Sequence, residues 1–139
     1  MGRTVRPACP LVKLLLDTHA VLWWATGSGK LSKKAAAAIS SPANKPLLSA
    51  VTAWEIAVKL RKGTLALPSH LAAEISGLPA RLGFPVLEIN WAHAERAASW
   101  DIPHGDPFDR MLAAQSEIEN IPLVTCDPAF LDFGTKSLW

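Results

Sequence analysis

Four acidic side chains in four separate segments of the chain could together bind a metal ion. They are Asp17, Glu55, Asp109 and Asp127. Carboxylates within a few ångströms of one another raise one another's pKa unless a cation neutralises them. A site that offers only oxygen ligands, without His or Cys, selects a hard ion such as Mg²⁺ or Mn²⁺. Such an ion can activate water and stabilise the charge that develops on a phosphate, so the acids predict phosphodiester hydrolysis.

A structural explanation competes with this one for each acid. Asp17, Asp106 and Asp127 each stand where a helix is predicted to begin, and Asp is a good N-cap. Thr52 and Glu55 have the spacing of a capping box, in which the Glu side chain reaches back to the cap amide. Capping does not explain an acid on a largely apolar helix, nor the coincidence of the acids at one edge of a sheet. We therefore interpret them as one pocket.

Strands and helices are predicted to alternate along the chain. The runs that predict strands are 12–16, 46–49, 84–89 and 121–125, with a final edge strand at 136–139. The segments that predict helices are 18–25, 31–40, 51–62, 68–76, 91–100 and 107–119, with a further helix start at 127–128. This alternation favours a parallel sheet with helices on both faces, and ligands of such sheets bind at the carboxyl ends of the strands. All four acids can reach that edge if the crossovers have the usual hand.

Length and composition indicate one folded domain. The chain has 139 residues, of which 50% are hydrophobic and 19% charged, which excludes a disordered chain. No apolar run approaches the ~18 residues that cross a bilayer. Lys13 and Asp17 interrupt any signal-like segment, so we expect a cytoplasmic protein without a membrane partner. Residues 1–11 lack periodicity and are expected to be a flexible extension to a domain at 12–139. The two cysteines have no CxxC spacing and predict neither a disulfide framework nor a zinc site.

Charge is distributed unevenly although the net charge is only +2. Residues 30–62 contain seven Lys or Arg and a single acid, whereas residues 88–132 contain nine acids and two Arg. A cationic front and an acidic back would suit a polyanion held beside a metal pocket. The alternative is that these charges only solvate helix faces.

The acid-bearing segments resemble those of the PIN-domain nucleases, in particular the VapC-type toxins of type II toxin–antitoxin systems. The segments are LLLDTHAVLWW (14–24), SAVTAWEIAVKLRKGTLALP (49–68), HGDPFDRMLAAQ (104–115) and IPLVTCDPAF (121–130). In this order they are highly specific, although each alone would be weak. The resemblance implies a three-layer α/β/α fold with a central parallel sheet and a Mg²⁺-dependent endoribonuclease. It also implies an RNA substrate, a homodimer and a small antitoxin that covers the pocket and carries a DNA-binding part.

Matching by segment assigns the four acids to catalysis and metal binding. Asp17 and Asp109 are expected to bind the ion directly, whereas Glu55 and Asp127 reach it through water or position the nucleophile. Asp106, one helical turn before Asp109, is either a fifth metal ligand or only the helix cap. The expected products are RNA fragments with a 5′-phosphate and a 3′-hydroxyl.

Several polar side chains near the acids are candidates for substrate binding, each with an ordinary alternative. They are Thr18, Lys59, Arg61, Lys62 and Arg110. Thr18 either touches the metal or the scissile phosphate, or helps cap a helix. The three cations at 59–62 either contact phosphates or favour the dipole at their helix end. Arg110 either contacts RNA or pairs with an acid. His104 precedes the acidic segment, where a surface histidine is commoner than a catalytic one.

Two non-catalytic functions remain as alternatives. A receiver-like phosphoacceptor domain has a similar size and an acidic Mg²⁺ pocket, but it needs an acidic pair after its first strand. Here that strand ends in a lone Asp17. A degenerate PIN domain would bind RNA or a partner without cutting, and its signature would be the loss of one acid. All four acids are present.

Overall fold

The computed structural model describes residues 11–139, which form a parallel five-stranded sheet with helices on both faces. The strands are β1 (Val12–Leu16), β2 (Asn44–Ser49), β3 (Val86–Leu87), β4 (Leu123–Val124) and β5 (Ser137–Leu138). Their order across the sheet is β3-β2-β1-β4-β5, and every pairing is parallel. The predicted central parallel sheet is therefore confirmed.

The central strand, β1, has two neighbours that lie far apart in the sequence, β2 and β4. It pairs with β2 along its whole length and with β4 at Leu15 and Leu16. From β1 the chain adds β2 and β3 on one side, and later β4 and β5 on the other. Such a reversal creates a crevice at the carboxyl ends of the two strands that flank it, here β1 and β4.

Helices fill the connections between strands. The α-helices are α1 (Thr18–Thr26), α2 (Lys33–Ser40), α3 (Ala50–Lys62), α4 (Ser69–Ala73), α5 (Leu78–Leu82), α6 (Trp91–Ser99) and α7 (Pro107–Glu119). Short 3₁₀ helices span Ile75–Gly77 and Pro128–Phe133.

Two hydrophobic cores, one on each face of the sheet, join the sheet to a layer of helices on either side. Successive strand residues point to opposite faces, so Leu14 and Leu16 pack into one core and Leu15 into the other. Residues of α1, α2, α4 and α5 cover the first face, and residues of α3 and α7 cover the second. The α/β/α arrangement is thus confirmed.

The structure differs from the predicted elements in the length of three strands and at two helices. The predicted strands 84–89, 121–125 and 136–139 are shortened to Val86–Leu87, Leu123–Val124 and Ser137–Leu138. The predicted helix at 68–76 ends at Ala73, and α5 follows it unpredicted, beginning beside Gly77 with Pro79 in its first turn, where no amide donor is needed. The predicted capping box is wrong, because α3 begins at Ala50 and its cap is Ser49, whose Oγ accepts from the Val51 amide. Glu55 is therefore free for another role.

The expected flexible extension falls outside the described residues, apart from Leu11. Between residues 11 and 139, no helix combines the length and apolar character needed to cross a membrane.

Candidate active site

Asp17 lies at the crevice between β1 and β4, and its carboxylate is held from across that crevice. It occupies the N-cap position of α1, yet its side chain makes no capping hydrogen bond. Instead, the Thr125 hydroxyl, just after β4, donates to Asp17 Oδ2 at 2.7 Å. The residue is only 6% exposed. The capping explanation therefore does not account for Asp17.

Burial disfavours the charge of Asp17. It raises the pKa of the carboxyl, and the negative charge of Glu55 raises it further, against the lowering effects of the Thr125 hydrogen bond and of His19. A buried carboxyl group with a raised pKa is typical of functional sites.

Glu55 reaches the same crevice from α3 and is also buried. The Thr18 hydroxyl, at the start of α1, donates to Glu55 Oε1 at 2.6 Å. That hydroxyl lies 3.2 Å from the Thr52 hydroxyl. Since Thr18 gives its proton to Glu55, Thr52 donates to Thr18. Thr18 therefore positions Glu55 rather than only capping α1.

Lys59 brings a positive charge into the acidic group. Its ammonium, one helical turn beyond Glu55, pairs with Glu55 Oε2. Partial burial by itself lowers the pKa of Lys59, but the hydrogen bond to Glu55 and the charges of Glu55, Asp106 and Asp109 raise it above its usual value. The ammonium therefore faces acids from both α3 and the start of α7.

Asp109 enters the group from the first turn of α7. Its pKa is raised to about 6, chiefly by burial and also by the charges of Asp106, Asp17 and Glu55, although the hydrogen bond from His104 lowers it. The His104 Nε2 lies 2.9 Å from Asp109 Oδ2. Three predicted acids from distant segments thus influence one another electrostatically.

The other two predicted acids act as caps. Asp106 Oδ1 accepts from the amides of Phe108 and Asp109, so Asp106 is the cap of α7, and its charge still acts on Asp109 and Lys59. Asp127 Oδ1 accepts from the Ala129 amide at the start of the second 3₁₀ helix, and the side chain is exposed. Its charge is not among those that shift the pKa of Asp17 or Asp109.

The remaining predicted cations lie apart from the acids. Arg61 and Lys62 are exposed in the last turn of α3. Arg110 neither faces outward nor pairs with an acid: its guanidinium donates to the backbone carbonyls of Ala97, Trp100, Ile102 and His104. It fastens the loop that precedes α7.

The donor chemistry of the acidic group fits a hard divalent cation. All its candidate ligands are carboxylate oxygens whose charges oppose one another. Asp109 Oδ1 accepts no hydrogen bond from the described residues. Among residues 11–139, however, no three His, Cys, Asp or Glu side chains stand as a ready-made metal site. The carboxylates are bonded instead to Thr125, Thr18, Lys59 and His104, so binding an ion would require some of these contacts to be exchanged.

Two residues of the site, Thr125 and Thr52, were not predicted from the sequence, and His104 was expected to be an ordinary surface histidine. Thr125 holds Asp17, Thr52 supports Thr18, and His104 holds Asp109. The threonines carry no distinctive signal in the sequence. His104 does, because it stands two residues before the cap Asp106 and five before Asp109.

The chain is similar to known proteins in its sequence and in its fold. The family model of the PIN domain matches residues 14–136. A solved structure, that of FitAB bound to an IR36 DNA fragment, aligns with a TM-score of 0.60 and 20% sequence identity, covering 90% of this chain and 93% of the other. That likeness shows a shared fold. No curated protein matches the chain.

Proposed function

Because the chain belongs to the PIN-domain family, we propose that it is a Mg²⁺- or Mn²⁺-dependent endoribonuclease toxin of the VapC type. The observation that carries this proposal is the meeting of Asp17, Glu55 and Asp109 at the crevice beside β1, where each acts on another's charge. Structural acids that serve only as caps would be spread over separate helix ends.

The proposed ion would be held chiefly by Asp17 and Asp109. Glu55 and Asp127 would reach it through water or position the nucleophile, and Asp106 would supply further negative charge from its cap position. When bound, the ion lowers the pKa of a water molecule and stabilises the charge that builds up on the phosphate.

Side chains around the acids orient the carboxylates and supply a positive charge beside them. Thr125, Thr18 and His104 each fix the orientation of one carboxylate. The Lys59 ammonium can offset the charge of the scissile phosphate from its place beside Glu55. Water attacks phosphorus and the 3′-oxygen leaves, so the products carry a 5′-phosphate and a 3′-hydroxyl.

Cations at the end of α3 supply the next contacts for RNA. Arg61 and Lys62 are exposed there, within one turn of Lys59. Contacts with phosphates confer affinity without sequence specificity, and salt weakens them. We expect these two side chains to bind the backbone of the RNA beside the cut.

We also propose that the chain acts in the cytoplasm as a homodimer and is neutralised by a cognate antitoxin. The support is the resemblance of the four acid-bearing segments to VapC toxins. In addition, the structure of FitAB contains bound DNA. This is consistent with the proposal that an antitoxin partner of this chain carries a DNA-binding part. Light scattering of the purified chain, alone and with the candidate antitoxin, tests both assemblies.

The decisive experiment is cleavage of total RNA by the purified protein with Mg²⁺ or Mn²⁺, followed by mapping of the new 5′ ends. We expect defined cuts that bear 5′-phosphates and that disappear with EDTA or in Asp17→Asn. Cleavage that survives both treatments would contradict the proposal.

The family assignment removes the receiver-like alternative. A degenerate PIN domain that binds without cutting is the remaining one. RNA that is bound but left intact with either ion would favour it.

A further inference from the structure

The Arg110 side chain donates hydrogen bonds to several carbonyls in and beside the loop between α6 and α7. Arg110 donates from Nη1 to the carbonyls of Ala97 and Trp100 at 3.0 Å each, and from Nη2 to that of Ile102 at 2.7 Å. Its Nε donates to the carbonyl of His104 at 2.6 Å. A guanidinium presents its donors in one rigid plane, so these four bonds fix the path of the loop up to His104.

The His104 ring is fixed on two further sides. It meets Phe133 edge-on, with ring centroids 5.3 Å apart and planes at 85°. Its Nε2 lies 2.9 Å from Asp109 Oδ2. An ionised carboxylate can only accept, so Nε2 carries the hydrogen in this contact. The ring therefore has one orientation, set by the loop, by Phe133 and by Asp109.

The two carboxylate oxygens of Asp109 differ in their hydrogen bonds. Oδ2 is bound to His104, whereas Oδ1 accepts no hydrogen bond from the described residues. A carboxylate held through one oxygen presents the other in a fixed direction. Partners that hold metal ligands in this way usually affect ion affinity strongly.

We propose that His104 is a positioning residue of the acidic site, which holds Asp109 through Oδ2 and leaves Oδ1 for the cation. Arg110 acts one step further away, by holding the loop that carries His104. This inference rests on the proposed function, since it assigns to Asp109 the role of a metal ligand.

The test compares a substitution that keeps a hydrogen-bond donor at position 104 with one that keeps the ring but removes the donor. His104→Gln keeps an amide donor that can reach Asp109, whereas His104→Phe keeps a ring against Phe133 and removes the donor. His70→Phe, on the exposed side of α4, is the matched control. Mn²⁺ binding to the RNA-free proteins is measured by calorimetry, and kcat and KM are measured separately for a short RNA.

We expect His104→Phe to weaken Mn²⁺ binding by roughly 10–100-fold and to lower kcat with little change in KM. His104→Gln should bind Mn²⁺ within about threefold of the unmodified protein, as should His70→Phe. Arg110→Lys, which keeps the charge but cannot span the carbonyls, should weaken binding as His104→Phe does. A structural role alone would not produce rescue by Gln.

The inference is overturned if His104→Phe binds Mn²⁺ like the unmodified protein, or if His104→Gln loses tenfold or more. If His104→Phe does not fold, His104→Leu, which also lacks the donor, takes its place, and unweakened Mn²⁺ binding by that variant overturns the inference. Because ion binding is measured without RNA, a protein that binds Mn²⁺ with this pattern but cuts no RNA would refute the proposed function and leave the role of His104 intact.

Discussion

The charge of Asp17 is unfavourable in the ion-free protein because the carboxylate is buried beside Glu55. Its raised pKa means that ionising this carboxyl costs more free energy in the folded protein than in the unfolded chain. Asn keeps an oxygen that can accept from Thr125 and removes the charge. We therefore expect Asp17→Asn, in EDTA at pH 7, to unfold at a higher urea concentration than the unmodified protein.

The same substitution should abolish activity. Loss of the proposed metal ligand would remove several kcal/mol of stabilisation from the transition state, so RNA cleavage should fall by at least about a hundredfold. Asp101→Asn, at an exposed position, is the control and should change neither quantity. An Asp17→Asn protein that is both less stable and fully active would contradict this account.

Asp109 should make the stability of the ion-free protein depend on pH. Its pKa is raised from 3.8 to about 6 in the folded protein, so the folded state binds more protons between these values. The free energy of unfolding should therefore fall as pH rises from about 4 to about 6. The full shift corresponds to at most about 3 kcal/mol, and we expect roughly 1–2 kcal/mol because water reaches part of the side chain.

Urea titrations in EDTA across this pH range measure the slope. Asp109→Asn should flatten it and be more stable than the unmodified protein at pH 7. Stability that rises between pH 4 and 6 in both proteins would show that Asp109 is not the group responsible.

Single residues differ in how well the sequence reveals them. Asp17, Glu55 and Asp109 could be found because each stands at a predictable position relative to a strand or helix. Thr125 could not, because its bond to Asp17 joins residues 108 positions apart, across two strands whose adjacency is known only from the fold. The same holds for Thr52 and Thr18, which meet between two helices.

At the scale of elements, one buried amide joins α7 to the start of α3. Gln115 is fully buried, and its Oε1 accepts from the Ser49 hydroxyl at 2.5 Å while its Nε2 donates to the Glu88 carbonyl at 3.3 Å. Ser49 is the cap of α3, the helix that carries Glu55. Gln115→Leu should therefore cost about 1–3 kcal/mol, because it leaves buried polar partners unpaired.

A double-mutant cycle in urea identifies the cause of that loss. Ser49→Ala combined with Gln115→Leu removes both partners and should cost less than the sum of the two single substitutions. Additive losses would indicate that the two side chains do not interact.

At this scale, the sequence predicts the ends of helices and very short helices less well than the long helices. The strands and the long helices are found from their periodicity. The predicted helix 51–62 begins one residue after the observed start at Ala50, and the competing capping box at Thr52 and Glu55 is wrong because Ser49 caps the helix. The helix α5 was missed because its five residues are too few to show a helical period.

Over the whole molecule, the cations of the segment 30–62 do not form one surface. Lys33 and Lys34 lie on α2, which covers one face of the sheet, whereas Arg61 and Lys62 lie on α3, which covers the other. Only the second pair shares a helix with Glu55. The expectation of a single cationic front is therefore wrong, because the chain crosses the sheet between the two helices.

This division predicts which cations bind RNA. In an Asp17→Asn background, which prevents cutting, Arg61→Gln with Lys62→Gln should weaken RNA binding and lower the slope of log affinity against log salt by about 1. Fluorescence anisotropy at several salt concentrations measures both quantities. Lys33→Gln with Lys34→Gln removes the same charge from the other face and should change neither. Equal effects of the two pairs would indicate binding through net charge alone.

The alternation of elements along the chain was enough to predict the layered architecture, but not the order of the strands. Any of several orders is compatible with right-handed crossovers. The position of β4 beside β1 is fixed by packing between segments more than 100 residues apart, as in the pairing of Leu15 with Leu123.

That pairing has a consequence for biosynthesis. On the ribosome the middle strand emerges about a hundred residues before the strand beside it that completes the crevice. A nascent chain that ends near residue 100 contains Asp17 and Glu55 but neither Asp109 nor the threonine that orients Asp17. The polypeptide therefore cannot assemble its acidic centre until the segment from Asp109 to Thr125 has been translated.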